Sequence, residues 1–355
     1  MNRENQVGTI LLDALAADVS GENIAAAARI LAEGGLVAFP TETVYGLGAN
    51  ALDAHAVEKI YTAKGRPGDN PLIVHVADTA QMMMLAKNIP PEAYCLAELF
   101  WPGPLTLVLE KKDIVPLSVT GGLDSVAIRV PDHPVALALL KEAALPVAAP
   151  SANLSGRPSP TTARHVLDDL NGRIDAVLDG GSCGVGVEST VLDIRDGRPR
   201  VLRPGGVTPA EIAAALKAEC PVISWSGATD EAPSSPGMKY THYAPQAPLY
   251  LFCGSPAAVA RALREQSLDY RNRGKRVGLL LSAELAGSIP GDVVEILGSR
   301  SNPAQLAANL YGALRRLDTV DLDVILAEGY PEEGMGLALM NRMQKAAGPR
   351  IIKVE

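Results

Sequence analysis

Residues 35–48 have the sequence GLVAFPTETVYGLG. Glycine opens and proline closes the apolar run before Thr41, a pattern that predicts a buried strand. The residues that follow carry hydroxyls, a carboxylate, a tyrosine and glycines. We therefore expect the chain to leave the hydrophobic core there and to expose polar groups. In α/β sheets such loops gather at the carboxyl ends of strands, where ligands bind. This stretch alone is equally consistent with an ordinary strand-to-helix turn.

Size and charge set the broad class of the protein. The chain has 355 residues, which favours about two domains. Its hydrophobic content of 47% is enough for a substantial core. The formal charge of −8 and the pI near 5.3 argue against a protein that binds nucleic acid over its whole surface. A local basic patch is still allowed.

Cysteine usage and the N-terminal sequence indicate the compartment. The four cysteines are widely spaced and form no CxxC pair, which predicts neither a zinc site nor a disulfide framework and fits a reducing cytosol. The apolar run at residues 11–17 is interrupted by Asp13, which argues against a signal peptide or a spanning helix. We therefore expect a cytoplasmic protein with no membrane segment.

A loop rich in glycine and proline, KGRPGDNPL at residues 64–72, carries two cations. Lys64 offers a compact charge and Arg66 a planar fork, so the loop is suited to wrap a polyphosphate. It is not a Walker loop, since GxxxxGK[ST] occurs nowhere in the chain. For a KxR motif taken alone, a solvated turn with surface cations is the commoner case.

The two strands predicted next each contain an ionisable residue. His75 lies within the apolar run 72–76, where a histidine is more often structural than a ligand. Arg129 lies within the run 125–131, and a charge in so apolar a strand needs an anionic partner. That partner is either an acidic residue of the protein or a substrate carboxylate, and the residues alone leave both open.

A second apolar strand, residues 145–150, runs into the polar loop SANLSGRPSPT at 151–161. Its hydroxyl and amide groups can each donate or accept, as recognition of a phosphate, a ribose or an amino acid requires. The alternative is a capped turn before a helix at 162–170, with Thr161 as the cap. Residues 187–191 are predicted to form a further strand with polar residues at its centre.

A change in composition marks a boundary near the end of a first domain. Residues 224–248 are rich in small and polar residues and have no periodic apolar pattern, which predicts a linker between domains 1–223 and 249–355. Within this linker, SPGMKYTHYAP at 235–245 has too many aromatic and charged groups for a passive tether, and we interpret it as a candidate lid. The last domain is predicted to be α/β, with its best helix beginning at Asn302 and burying leucines at helical spacing.

Taken together, these motifs resemble the YrdC-like threonylcarbamoyl-AMP synthases in their long, two-domain form. The matching segments follow the family's order and span nearly the whole chain: PTETVYGLG at 40–48, KGRPGDNPL at 64–72, WPGPLTLVL at 101–109, VAIRVPDHP at 126–134, PSAN at 150–153, VEST at 187–190, LRPG at 202–205 and SPGMKYTHYAP at 235–245. The fold that this resemblance implies is a YrdC-like twisted mixed α/β sheet with surrounding helices, followed by a smaller Rossmann-like α/β domain.

The resemblance also implies an activity. Members of the family combine L-threonine, bicarbonate and ATP into L-threonylcarbamoyladenylate and release pyrophosphate, with Mg²⁺ on the ATP phosphates and no metal ligands from side chains. A partner complex, a threonylcarbamoyl transferase, then modifies tRNA to carry N6-threonylcarbamoyladenosine. A weak direct contact with tRNA is compatible with the same resemblance.

Similarity to the family assigns roles to individual residues. Lys64 and Arg66 are expected to be catalytic and to lie at the ATP phosphates. Further ATP contacts are expected from Asn70, Ser125, Ser151, Asn153, Ser159 and Arg203, and from His242 or Tyr243 of the linker. Threonine is expected to contact Thr43, His75, Arg129, Ala149 and Ser189, with Arg129 at its carboxylate and Ala149 acting through its backbone.

Two other hypotheses compete with the synthase. The first is an RNA-binding module without ATP turnover, which the negative net charge and the lack of aromatic residues interleaved with basic ones disfavour. The second is a carbamoyl-transfer maturation factor that contains the same domain, but the acylphosphatase and zinc-finger-like segments of such factors are not found in this sequence.

Overall fold

The computed structural model describes residues 8–15, 21–223 and 243–355. This part of the chain falls into two compact units, and the second also includes two short segments from earlier in the chain, Gly156–Ser159 and Val185–Val187. The predicted domain boundaries at 223 and 248 stay predictions. Most of the predicted lid falls within residues 224–242, which lie outside the described residues.

The first unit alternates strands with helices along the chain. Its strands are β1 (Ile10–Asp13), β2 (Val37–Phe39), β3 (Gly46–Asn50), β4 (Ile73–His75), β5 (Ala86–Lys87), β6 (Leu105–Lys111), β7 (Ser125–Arg129), β8 (Val147–Ala148), β9 (Ala176–Asp179), β10 (Thr190–Asp193) and β11 (Arg200–Arg203). Its helices are α1 (Glu22–Ala32), α2 (Ala54–Lys64), α3 (Thr79–Leu85), α4 (Pro91–Phe100), α5 (Leu117–Thr120), α6 (Pro134–Ala143), α7 (Ala163–Leu170) and α8 (Pro209–Leu216).

Within the described residues, these strands form one sheet in the order β1-β9-β2-β3-β8-β4-β7-β6-β10-β11, with β5 paired to β6. The sheet is mixed: β4 and β7 run parallel, whereas β6 and β7 run antiparallel. The predicted twisted mixed sheet with surrounding helices is confirmed. The largest hydrophobic cluster packs against one of its faces and includes Val126 and Ile128 of β7 and Leu107 of β6.

Most helices begin at a residue that local sequence signals, such as a capping side chain, can indicate. Asp53 caps α2 through hydrogen bonds from the next turn, as a short acidic side chain at this position should. The predicted cap Thr161 is wrong by one residue, because it is the side chain of Thr162 that accepts from the backbone N–H of His165. The strand predicted at 187–191 begins only at Thr190, where pairing with β6 starts at Leu105, after a proline-rich turn with few N–H donors.

The second unit is built around a parallel sheet. Its strands are β12 (Leu249–Gly254), β13 (Val277–Leu281), β14 (Val293–Ile296), β15 (Val324–Glu328) and β16 (Ile351–Val354), and its helices are α9 (Pro256–Asn272), α10 (Pro303–Leu317) and α11 (Met335–Ala347). The strand order is β14-β13-β15-β12-β16. Asn302 caps α10, which buries leucines at helical spacing as predicted. No helix in the described part of the chain has the length and apolarity needed to cross a bilayer.

Candidate active site

One row of side chains crosses the mixed sheet on a single face. Residues that lie opposite each other in neighbouring strands point to the same side of a sheet. The registers of β11 with β10, β10 with β6, β6 with β7 and β7 with β4 therefore place one residue of each strand in line. In order across the sheet, these residues are Arg203, Val191, Thr106, Arg129 and His75. Strands far apart in sequence thus bring charged and polar groups onto one surface.

The alternation along β7 separates this surface from the core. Ser125, Ala127 and Arg129 share the face of the row, whereas Val126 and Ile128 point into the large hydrophobic cluster. Ala127 lies opposite apolar residues of β4 and β6 that form a small cluster on the same face. The predicted ATP contact Ser125 and the predicted threonine contact Arg129 therefore lie at the two ends of one short strand.

Arg129 is buried and held from three directions. Its Nε donates to the carbonyl of Gly103 at 3.1 Å, and its Nη1 donates to Oγ1 of Thr43 at 3.0 Å. Its Nη2 forms an ion pair with the carboxylate of Glu42. Oγ1 of Thr43 is also 2.8 Å from Oγ1 of Thr41. The anionic partner that the sequence demanded for Arg129 is thus an acidic residue of the protein, Glu42.

His75 lies directly opposite Arg129 in the β4–β7 pair. The pKa of His75 is lowered to about 3, chiefly by burial and further by the charge of Arg129, so the imidazole is neutral at physiological pH. The ring meets Phe39 edge-on with centroids 5.8 Å apart. Its Nδ1 is buried and has no hydrogen-bond partner among the described residues, which leaves a neutral nitrogen on the site face.

Ser189 and Arg203 form a second hydrogen-bonded group along the row. The Arg203 guanidinium donates from Nη2 to the Ser189 carbonyl at 2.9 Å and to its Oγ at 3.2 Å. The same Oγ is 2.8 Å from Oγ1 of Thr106. Ser189 was expected to contact threonine and Arg203 to contact ATP, and the structure places them side by side.

The 64–72 loop closes against the loop that follows β8. Helix α2 ends at Gly65 in the left-handed conformation (φ 60°), which turns the chain away from the helix. The ammonium of Lys64 is buried and donates to the carbonyls of Ser151 and Asn153. The carbonyl of Lys64 accepts from the N–H of Ser155 at 2.9 Å. Lys64 therefore binds the Ser-Ala-Asn loop directly.

The remainder of the cationic loop is folded on itself. Nη2 of Arg66 donates to the carbonyls of Asn70 and Pro71 at 3.4 and 3.3 Å. The hydroxyl of Tyr61 donates to the carbonyls of Ser118 (2.7 Å) and Asn70 (3.3 Å) and so fixes the loop from α2. Oδ1 of Asn70 is buried and accepts no hydrogen bond among the described residues.

Ala149 connects the strand of a predicted threonine contact, His75, with the loop that carries the predicted ATP contacts Ser151 and Asn153. Its backbone N–H donates to the carbonyl of Ile73 at 2.8 Å, and Ser151, two residues further on, forms an isolated bridge with Gly46. The N–H of Ala152 donates to the carbonyl of Tyr45 at 2.8 Å. The loop after β8 therefore makes backbone hydrogen bonds both to β4 and to the loop after β2.

Two predicted ATP contacts fall in the second unit instead. Ser159 is fully buried there. The ring of Tyr243 lies 5.2 Å from that of Tyr311, with the Arg342 guanidinium 5.8 Å from its centroid. His242 lies outside the described residues. The other predicted site residues belong to the first unit.

Sequence reasoning missed two side chains on the site face. Glu42 lies within the opening motif and Thr106 within a predicted strand, and the sequence predicted no role for either side chain. The signal for Thr106 was a polar residue at an alternate position in the run LTLVL, because such a position faces away from the core.

This arrangement defines an α/β protein whose mixed sheet carries two buried guanidiniums, of Arg129 and Arg203, in one row of side chains, with a cationic loop at residues 64–72. Comparisons with known proteins give the family. A model described as "Telomere recombination", named for Sua5, YciO and YrdC, matches residues 29–205, and a model of the threonylcarbamoyl-AMP synthase C-terminal domain matches residues 207–348. The threonylcarbamoyl-AMP synthase of Bacillus subtilis is 54% identical over 93% of this chain and 94% of its own. The chain belongs to the threonylcarbamoyl-AMP synthase family.

Solved structures agree with this assignment. Sua5 of Pyrococcus abyssi in complex with L-threonine superposes with a TM-score of 0.92 at 49% identity, over 98% of this chain and 100% of that one. A variant of the same protein, with an adjacent histidine and tyrosine changed to alanine, gives a TM-score of 0.92 at 48% identity over 98% of both chains. The resemblance inferred from the motifs is confirmed, and with it the conclusion that the chain is an enzyme.

Proposed function

We propose that this chain joins L-threonine, bicarbonate and ATP into L-threonylcarbamoyladenylate and releases pyrophosphate. The observation that carries the proposal is the match along almost the whole chain to a Sua5 protein solved with L-threonine. The buried row on the mixed sheet supports it, because it supplies a guanidinium and hydroxyls where a small zwitterion needs them.

The threonine half of the site is assigned to the Arg129 end of the row. A buried guanidinium is suited to a carboxylate, since the two make charge-assisted hydrogen bonds in a low-dielectric setting. Thr43 and Ser189 offer hydroxyls to the substrate, and the neutral His75 offers a nitrogen that does not repel an ammonium group. Ala149 has no polar side chain and is assigned a role through its backbone.

The nucleotide half is assigned to the loops around Lys64. Arg66 and Asn70 are placed to follow the phosphates, with Ser125, Ser151 and Asn153 as further polar contacts. Arg203, at the opposite end of the row, supplies a second guanidinium. Because the Lys64 ammonium is bonded to backbone carbonyls, we assign it first to holding the Ser151 loop in shape, and its contact with phosphate stays a prediction.

The chemistry requires positioning more than a protein nucleophile. The amine of threonine forms a bond to the carbon of bicarbonate, water leaves, and an oxygen of the resulting carbamate attacks the α-phosphorus as the bond to pyrophosphate breaks. The arginines bind and orient the reacting anions and stabilise the charge that develops. We expect Mg²⁺ to be held by the ATP phosphates, where it would neutralise their charge.

The linker is assigned a part in covering ATP. His242-Tyr243 is the only His-Tyr pair in this sequence, and an adjacent histidine and tyrosine were the residues replaced in the P. abyssi variant. The product is a reactive mixed anhydride, so its consumer must be a group transferase, which we expect to be the complex that modifies tRNA. A direct tRNA contact and Mg²⁺ dependence belong to the same proposal.

The test is a search by mass spectrometry for the threonylcarbamoyl adenylate, with pyrophosphate release followed in parallel. The purified protein receives ATP, Mg²⁺, bicarbonate and L-threonine, with L-serine as a competing substrate. We expect an adduct that requires both threonine and bicarbonate. Arg129→Lys should abolish it, and Arg198→Lys, on the exposed turn before β11, should not. ATP left intact, or consumed without threonine, contradicts the proposal, and salt-sensitive RNA binding without turnover would then favour the RNA-binding alternative.

A further inference from the structure

Glu42 lies at the threonine end of the row with its carboxylate turned inward. Both carboxylate oxygens are buried, and neither accepts a hydrogen bond from any described residue. Among the described residues, the charged partner of this carboxylate is Nη2 of Arg129, with which it forms an ion pair. A buried carboxylate whose charged partner is one guanidinium nitrogen still has acceptor capacity that is not used, so this side chain can accept a further donor from a ligand.

The groups that face Glu42 leave Arg129 as its charged partner within the described structure. The pKa of His133, at the start of α6, is lowered by burial, which favours the neutral ring. The pKa of the Cys183 thiol is raised to about 12, again mainly by burial, so the thiol is protonated. Thr43 contributes a neutral hydroxyl. The pocket around Arg129 is therefore balanced, with one positive and one negative charge.

A threonine carboxylate that binds Arg129 upsets this balance. Two carboxylates then share one buried guanidinium, and the surplus negative charge requires a cation in the same place. The ammonium group of the amino acid is that cation, and its three N–H donors can use the acceptor capacity of Glu42 that the ion pair with Arg129 leaves over.

We propose that Glu42 is a substrate-binding residue that accepts a hydrogen bond from the amino group of threonine. The proposal rests on the proposed function and adds one contact to it: Arg129 takes the carboxylate and Glu42 takes the ammonium. The pair thus selects a free α-amino acid over a simple carboxylic acid, and it fixes the nitrogen that must meet bicarbonate.

Two simpler roles for Glu42 make different predictions. If it only props Arg129 in place, every ligand that uses Arg129 weakens equally when Glu42 is changed. If it only occupies Arg129 until the substrate carboxylate displaces it, removing its charge strengthens binding. A contact with the ammonium weakens only ligands that carry one.

The experiment is a thermodynamic cycle that combines a change of the Glu42 side chain with removal of the amino group from the ligand. L-Threonine and (R)-3-hydroxybutanoate, which lacks the amino group, are titrated calorimetrically into the wild type, Glu42→Gln and Glu58→Gln. Glu58, with its side chain 65% exposed on α2, is the control. We expect the wild type and the control to prefer threonine by roughly 10- to 100-fold, as a charge-assisted hydrogen bond allows. In Glu42→Gln the preference should fall to within about threefold, through loss of threonine affinity.

Other outcomes overturn the inference. If Glu42→Gln weakens both ligands and leaves the preference for threonine unchanged, Glu42 only positions Arg129. If Glu42→Gln binds threonine more tightly than the wild type does, Glu42 competes with the substrate carboxylate for Arg129. Glu42→Asp keeps the charge, protects the fold and should give an intermediate preference because its carboxylate is one methylene further away. If the wild type binds no threonine, the proposed function itself fails, and that result is seen before any variant is compared.

Discussion

The ammonium of Lys64 donates a 2.6 Å hydrogen bond to the backbone carbonyl of Asn153. The same group also reaches the carbonyl of Ser151, so one side chain at the end of α2 fixes the loop that follows β8. The charge of Lys64 thus acts on the shape of the polar loop as well as on its electrostatic potential.

Lys64→Met should destabilise the first unit and weaken ATP binding. Buried carbonyls that lose a charged donor cost about 1–3 kcal/mol each, so for the two carbonyls we expect the free energy of unfolding to fall by about 2–6 kcal/mol. We expect ATP affinity to fall at least tenfold. Lys59→Met is the matched control, since Lys59 lies on the same helix and donates to the carbonyl of Gly34 from a more exposed position. Urea unfolding and ATP calorimetry measure both effects, and equal costs for the two variants would contradict this account.

Tyr61→Phe should affect ATP binding more than Tyr45→Phe does. Each hydroxyl donates a 2.7 Å bond to a backbone carbonyl, of Ser118 and Gly181 respectively. Each loss should cost about 1 kcal/mol of stability. Only Tyr61 also reaches Asn70 in the cationic loop, so its variant alone should raise the KM for ATP. Steady-state kinetics at saturating threonine separate the two variants, and an equal rise in both would reject a specific role for Tyr61.

Acid should destabilise the first unit through His75. Its folded pKa is lowered to about 3 from the ordinary value of 6.5, so between these values only the unfolded chain takes up the proton. The stability is therefore fully present above about pH 6.5 and is lost by about 1.4 kcal/mol per pH unit as the pH falls toward 3. Urea titrations near pH 7, 6 and 5, followed by Trp fluorescence, should show this loss. His75→Gln should remove that part of the slope.

The control for this measurement is His55→Gln, because the side chain of His55 is 92% exposed. It should leave the pH dependence unchanged. If both histidine variants retain the full slope, another group is responsible for the acid sensitivity.

The second unit should depend on the ion pair between Glu328 and Arg300. Glu328 is fully buried, and it also accepts from the N–H of Ser282 at 2.7 Å. Glu328→Gln should therefore cost about 1–3 kcal/mol, because the buried acceptor of a charge-assisted hydrogen bond is lost while Arg300, whose side chain is 22% exposed, keeps partial access to water. Breaking the more exposed Arg316–Glu295 pair with Arg316→Met should cost less than about 1 kcal/mol. Hydrogen exchange of peptides from β13 and β15 reports the difference, and similar costs would contradict it.

The sequence predicted the helices and strands that neighbouring residues specify. It did not predict side-chain partners that lie far apart in the chain and meet only in the folded protein. Asp53 and Asn302 are helix caps that can be found from neighbouring residues. The partner of Arg129 could not be found, because Glu42 lies 87 positions earlier (129 − 42) and an equally good argument existed for a substrate carboxylate. The sequence predicted no role for the carboxylate of Glu42, since a carboxylate at the end of a strand is most often solvated.

The cationic loop shows a different limit. The resemblance to the family places Lys64 and Arg66 at the ATP phosphates, and in this structure both also donate to backbone carbonyls. A carbonyl acceptor exists at every position of a chain, so no residue type reveals it in advance. The row across the sheet was equally hidden, because it depends on the registers of paired strands separated by up to about a quarter of the chain.

The row also bears on synthesis of the protein. His75 emerges from the ribosome long before Arg203, and β11 must add antiparallel to β10 before the last guanidinium reaches the surface. A nascent chain that ends before β11 has an open sheet edge and an incomplete binding surface. Substrate therefore gives little stabilisation to partly made chains, and the order of translation makes ligand affinity a property that this enzyme acquires late.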